Sequence, residues 1–261
     1  MGILNYQRVG RAAVLACALA YLGTAIRLEA APLDSHAAIK LSASSGEPFG
    51  LAASAMTPGA LQDKWKALTR KLDDERVQLA LCDGDREHCA SDAALRFLAI
   101  VDQGREREGR ARLGEINRAI NLAIHPMSDL AQYGQMDVWS SPLATFYRGA
   151  GDCEDYAIAK FVALRQAGVP GKDLRIVIMR DVFHGEDHAV AAARLDGHWL
   201  MLDNRRMAMV EDGNIRNYRP LFVMDEQELK RYADPRLLVS LPDRSGVAPL
   251  AVQPALIATS N

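Results

Sequence analysis

The chain has 261 residues, with 31 basic and 33 acidic side chains, a formal charge of −2, and 49% hydrophobic against 25% charged residues. These values belong to an ordinary globular protein and exclude a disordered chain, a coiled coil or a collagen-like rod. A pI near 6.3 offers no net attraction to phosphate backbones, so nucleic-acid binding is not expected.

Residues 1–30 read as a secretory signal peptide. Arg8 and Arg11 form a basic start, residues 12–26 are apolar with small polar interruptions, and Ala30 or Ala31 offers a short side chain for cleavage. An apolar run of about 15 residues falls short of the roughly 20 that span a bilayer, which disfavours an anchoring helix. Cys17 follows Arg11 too closely to mark a lipoprotein signal. The expected location is therefore the periplasm of a bacterium.

Export changes how the remaining cysteines read. Cys82 and Cys89 bracket a polar loop, and in an oxidising compartment they can pair. The alternative is a metal site of Cys82, His88 and Cys89, but the spacing fits no common zinc pattern. Cys153 is left as an unpaired thiol.

In chain order, residues 31–56 are Ala-, Ser- and Gly-rich and predict a flexible arm. Leu61, Trp65, Leu68 and Leu72 recur at helical spacing, so a helix begins near Pro58. Ser91 caps a second helix with Leu95, Leu98 and Ala99 on one face. Leu113, Ile116, Ile120 and Ile124 mark a third, and the alternating charges of residues 105–110 join the two. After His125-Pro126 a further helix runs from Cys153 to Ala167 and ends at Gly168. Beyond Pro170 the period changes. Residues 174–179 read as a buried strand, and Asp196-Gly197 joins two more in a two-residue hairpin. Another strand falls at residues 221–224. The aperiodic stretch 242–261 predicts a disordered tail. The fold class is α+β, with a helical N-terminal half followed by an antiparallel sheet over residues 57–241.

Cys153 lies in the first turn of its helix, where the helix dipole and unpaired N–H groups favour a thiolate and can stabilise an oxyanion. A nucleophilic thiolate needs a base, and the base needs an orienting partner. If Asp196-Gly197 is a two-residue turn, Asp203 lies opposite Val190, and His188 shares its face two residues away. Diagonal Cβ atoms are then roughly 7–8 Å apart, within reach of an imidazole–carboxylate contact. Asn204 would face the other way. A three-residue loop would put His188 and Asp203 on opposite faces. His184 is a competing base in a less fixed loop, while His36, His88, His125 and His198 read as structural or surface residues.

Asp152, Glu154 and Asp155 crowd the thiol, and like charges raise a thiol's pKa. Hard oxygen donors at this density suit Ca²⁺. The residues alone fit equally well a solvated acidic cap on a helix N-terminus.

The string Gly151-Asp152-Cys153-Glu154-Asp155-Tyr156-Ala157-Ile158-Ala159-Lys160, with Asp187-His188-Ala189-Val190, Leu202-Asp203-Asn204 and the upstream Asp137-Val138-Trp139-Ser140-Ser141-Pro142, resembles the bacterial transglutaminase-like cysteine proteases, a family that includes the LapG-type periplasmic proteases. The resemblance covers roughly residues 57–225. It implies a papain-like or transglutaminase-like fold, a triad of Cys153, His188 and Asp203, and Ca²⁺ dependence through Asp152, Glu154 and Asp155. It further implies cleavage of a large surface adhesin near its N-terminus beside paired alanines, and sequestration by an inner-membrane cyclic di-GMP receptor, hence control of biofilm dispersal. Trp139 could offer its indole N–H to the oxyanion, as a tryptophan does in transglutaminases, or simply pack. The alternatives to an endopeptidase are a protein transglutaminase using the same thioester, and a non-catalytic calcium- or partner-binding module.

Overall fold

A computed structural model describes residues 46–233. The signal peptide expected at residues 1–30 and the tail expected at residues 242–261 lie outside these residues. Six helices, α1 (Ala60–Gly84), α2 (Asp92–Arg105), α3 (Gly109–Ala123), α4 (Asp129–Tyr133), α5 (Pro142–Arg148) and α6 (Cys153–Gln166), come before most of the strands. Strands β1 (Ala53–Ala55), β4 (Leu174–Asp181), β5 (Glu186–Leu195), β6 (His198–Leu202), β7 (Val210–Glu211), β8 (Tyr218–Met224) and β9 (Leu229–Tyr232) form one antiparallel sheet in the order β1-β9-β8-β4-β5-β6-β7. Two short segments, β2 (His125–Pro126) and β3 (Ala150–Gly151), pair in parallel just before α6. No helix among the described residues is long and apolar enough to cross a membrane.

The sheet separates two apolar layers by strand alternation. Ala189, Ala191, Ala193, Leu200 and Leu202 join the helices in the larger core, with Ala157, Ile158, Phe161 and Leu164 of α6 packed there. Val190, Ala192, Trp199 and Met201 face the other side, where Phe49, Leu51 and Ala53 pack against them. The run of alanines on β5 lets α6 lie close to the sheet, which brings the start of α6 beside the strand that carries His188.

Of the expected arm, only residues 46–56 are described, and these are ordered against the sheet. Ala53–Ala55 pairs with β9, and Pro48 is buried. The small residues of this stretch lack periodicity, but a sheet edge supplies backbone hydrogen bonds that no side-chain pattern advertises.

Cys82, in the last turn of α1, is disulfide-bonded to Cys89. His88 bonds the Asp85 carboxylate instead of joining a metal set. Asp83 beside the bridge accepts from Arg86 and from Arg105 at the end of α2, so bridge and ion pairs together tie α1 to α2. Replacing both cysteines by alanine is expected to cost about 2–3 kcal/mol, the loop-closure value for so short a loop. Urea denaturation of the double variant beside the oxidised and the reduced parent checks this.

Candidate active site

Helix α6 begins at Cys153, and Gly151 just before it lets the strand pass close to the first turn. A Cβ at Gly151 would stand 2.8 Å from the Asp155 side chain. The apolar positions of α6 are buried almost without interval, so the helix is a rigid mount for the thiol.

The histidine and its partner come from the hairpin. Leu195 pairs with His198 and Ala191 with Leu202, which makes Asp196-Gly197 a two-residue turn. Both turn residues have positive φ, 51° and 84°, as a type I′ turn requires. The register brings His188 and Asp203 together: Nε2 of the imidazole lies 2.9 Å from Oδ1 of the carboxylate. His188 is 1% exposed, and the ring of Tyr218 lies beside it with centroids 6.0 Å apart. Burial alone would raise the Asp203 carboxyl, but the hydrogen bond and charge of His188 and the Arg205 N–H at 3.0 Å hold it below the usual carboxylate range.

Nδ1 of His188 is buried and has no hydrogen-bond partner. It is the ring nitrogen opposite the one held by Asp203, and His188 and Cys153 line the same cavity of about 800 Å³. The thiol lies against β5, where the Ala189 backbone hydrogen-bonds to it. In this resting arrangement the thiol donates to Glu154 Oε2 at 3.1 Å. Burial and then the Glu154 carboxylate push the Cys153 thiol well above its ordinary range, against the lowering effect of the Ala189 bond. A free thiol here is therefore protonated until a base and a compensating charge act on it.

The acidic group differs from the expected set. Asp129, Asp152 and Glu154 each present an oxygen within 4.8 Å of the others. Asp155 is turned away: it is fully buried and its Oδ1 accepts the Ser140 N–H at 2.8 Å. It is two residues along the helix from Cys153, so its carboxylate faces the Trp139–Ser141 segment while Glu154 faces the thiol. Asp129 takes its place from α4, more than twenty positions upstream. Its Oδ2 accepts the Val138 N–H, while its Oδ1, like Oδ1 of Asp152, is buried without a partner. Burial, together with the neighbouring carboxylates, raises Asp129, Asp152 and Glu154 above the usual carboxylate range. Three crowded, partly orphaned oxygens are a donor set that suits a hard divalent cation such as Ca²⁺.

Trp139 does line the cavity, but its indole N–H donates to Asp137 Oδ1 at 2.9 Å. Asp137 adopts a left-handed φ of 60°, which swings its carboxylate back to the ring. The indole N–H is thus engaged rather than aimed at an oxyanion, and the ring packs edge-on against Trp65. Asn204 also departs from expectation: it lines the cavity. Strand β6 ends at Leu202, so alternation no longer sets its direction. His184 bonds Asp181 at 2.7 Å on the surface and is not among the cavity residues.

Two asparagines escaped the sequence reading. Asn121 on α3 donates to the carbonyl of Asp203, and Asn117, one turn earlier, donates to that of Met207. They pin the loop that carries Asp203. A signal existed, since both asparagines fall four residues apart in an apolar helix.

This combination of a helix-borne thiol, a sheet-borne histidine–aspartate pair and an antiparallel sheet defines a transglutaminase-like cysteine proteinase architecture. The family model for bacterial transglutaminase-like cysteine proteinases (BTLCP) matches residues 78–232, and the chain belongs to this family. No curated protein sequence matches the chain significantly. Among solved structures, Legionella pneumophila LapG is 22% identical with a TM-score of 0.50, covering 60% of this chain and 87% of that one. Its EGTA-treated form is likewise 22% identical with a TM-score of 0.50, covering 60% and 84%. The calcium-bound form of LapG is 24% identical with a TM-score of 0.48, covering 54% and 80%. The first two likenesses show a shared fold.

Proposed function

We propose that the chain is a periplasmic, Ca²⁺-dependent cysteine endopeptidase that cleaves a large cell-surface adhesin near its N-terminus, beside paired alanines. The observation that carries the catalytic part is the His188 Nε2–Asp203 Oδ1 contact of 2.9 Å, which leaves Nδ1 unpartnered in the cavity shared with Cys153. The adhesin substrate, its release in biofilm dispersal, and sequestration by an inner-membrane cyclic di-GMP receptor are part of the proposal and rest on the sequence resemblance to the LapG-type proteases. The apolar stretch at residues 12–26, behind Arg8 and Arg11, favours the periplasm.

In this reading His188 Nδ1 takes the proton of the Cys153 thiol, and the thiolate attacks the scissile carbonyl carbon. Asp203 holds the other ring nitrogen as N–H and stabilises the imidazolium. N–H groups in the first turn of α6 stabilise the oxyanion. Collapse of the tetrahedral intermediate breaks the C–N bond, and His188 returns the proton to the leaving amine. Water, deprotonated by His188, then releases the acyl group. Asp129, Asp152 and Glu154 would hold Ca²⁺. The bound ion supplies positive charge that offsets the carboxylates beside the thiol.

The test is incubation of the purified protein with recombinant adhesin N-termini carrying paired alanines, in Ca²⁺ and in EGTA. Cleavage in Ca²⁺ that stops in EGTA is expected. Cleavage indifferent to EGTA refutes the metal assignment, and incorporation of a dansylated amine without cleavage refutes the protease in favour of a transglutaminase.

A further inference from the structure

Lys160 lies seven residues beyond Cys153 on α6 and is fully buried. Its helix packs on β5, whose Ala189, Ala191 and Ala193 share a core with Ala157 and Leu164 of α6, and the Tyr156 ring on its own helix lies 5.8 Å away, centroid to nitrogen. Burial pulls the ammonium down to about 7, and the Asp203 carboxylate is the charged group that opposes this. A methionine would fill the same volume without desolvating a cation, so packing does not account for a lysine here.

The geometry does account for it. Lys160 Nζ donates to the Leu202 carbonyl at 3.0 Å. Asn121 donates to the next carbonyl, that of Asp203, also at 3.0 Å. The peptide unit that carries the orienting carboxylate is therefore gripped from α6 on one side and from α3 on the other. The α6 contact also brings a positive charge close enough to Asp203 to help hold its carboxyl down.

We infer that Lys160 is a positioning residue for the site, clamping the Leu202 carbonyl and setting a cation behind Asp203 so that Asp203 stays ionised and aligned with His188 Nε2. The inference rests on the reading of Cys153, His188 and Asp203 as a triad. It couples the helix that bears the nucleophile directly to the loop that bears the orienting acid.

The experiment is alkylation of Cys153 by iodoacetamide in the Ca²⁺-supplemented full chain, followed by mass spectrometry of the Cys153 peptide from about pH 5 to about pH 9. In Lys160→Met the rate near neutrality is expected to fall about tenfold, the equivalent of one pKa unit. The parental profile should carry an inflection near pH 7, where burial brings the Lys160 ammonium to lose its proton, and the variant's profile should lack it. The melting temperature should not fall, since a buried charge has been removed. If Lys160→Met does not fold, Lys160→Gln is read in the same way. A folded variant that alkylates at the parental rate with an unmoved profile overturns the inference and leaves the triad standing. A parent protein whose Cys153 alkylates no faster than in His188→Ala overturns the triad and this inference with it.

Discussion

Asp203→Ala is expected to leave a folded protein whose peptide hydrolysis is slower by at least about a hundredfold in kcat, with KM changed little. Without the carboxylate at 2.9 Å nothing fixes the proton on His188 Nε2, and the imidazole is free to present N–H rather than a lone pair to the thiol. Substrate does not touch Asp203, which is 8% exposed, so binding should survive. Cys153→Ala removes the nucleophile and takes hydrolysis below detection. Michaelis–Menten kinetics on a fluorogenic peptide with paired alanines measure both. Parental kcat in Asp203→Ala would mean that the Tyr218 ring, not the carboxylate, orients the histidine.

The second large effect concerns Asp129. Asp129→Asn is expected to weaken Ca²⁺ binding at least about tenfold, because it removes a full charge from a three-carboxylate group while keeping the side chain's shape. Asp155→Asn should weaken it less, since Oδ1 of that carboxylate accepts the Ser140 N–H and the residue lies outside the group, although its Oδ2 is buried without a partner. Isothermal titration calorimetry on both variants ranks them. Equal losses would place Asp155 among the ligands after all. Because Glu154 also accepts the thiol's hydrogen bond, loss of Ca²⁺ binding and loss of thiol reactivity should appear together in Asp129→Asn.

The parts of the site that could be read from the chain are those governed by local physics. Cys153 at a helix start follows from Gly151, the acidic first turn and the periodic apolar face behind them. The His188–Asp203 meeting follows from one dipeptide, because Asp196-Gly197 selects a two-residue turn and strand alternation does the rest. The Cys82–Cys89 bridge follows from the short spacing and from the export expected of residues 1–30. Where the structure departs from what the sequence suggests, a local rule reaches beyond its range. Strand alternation sends Asn204 to the far face, but β6 has ended two residues earlier, at Leu202, and Asn204 lines the cavity. Asp155 was grouped with its neighbours by adjacency in sequence, although successive helical residues point in directions about 100° apart. Of the two readings of Trp139, oxyanion donor or packing residue, the packing one fits the structure, because a left-handed Asp137 takes the indole N–H.

The sequence by itself determined the class of fold, the helix that carries the thiol and the register of the histidine hairpin, because helix periodicity, turn chemistry and strand pairing are short-range. Only the tertiary structure decided the rest of the site. Asp129 reaches the carboxylate group from α4, Asn121 and Lys160 grip the Asp203 peptide from α3 and α6, and residues 53–55 pair with β9 at the sheet edge. None of these partners is close in sequence to the group it serves. Each contact forms only once the buried faces of α3 and α6 have packed against the sheet, so it depends on packing rather than on any local pattern.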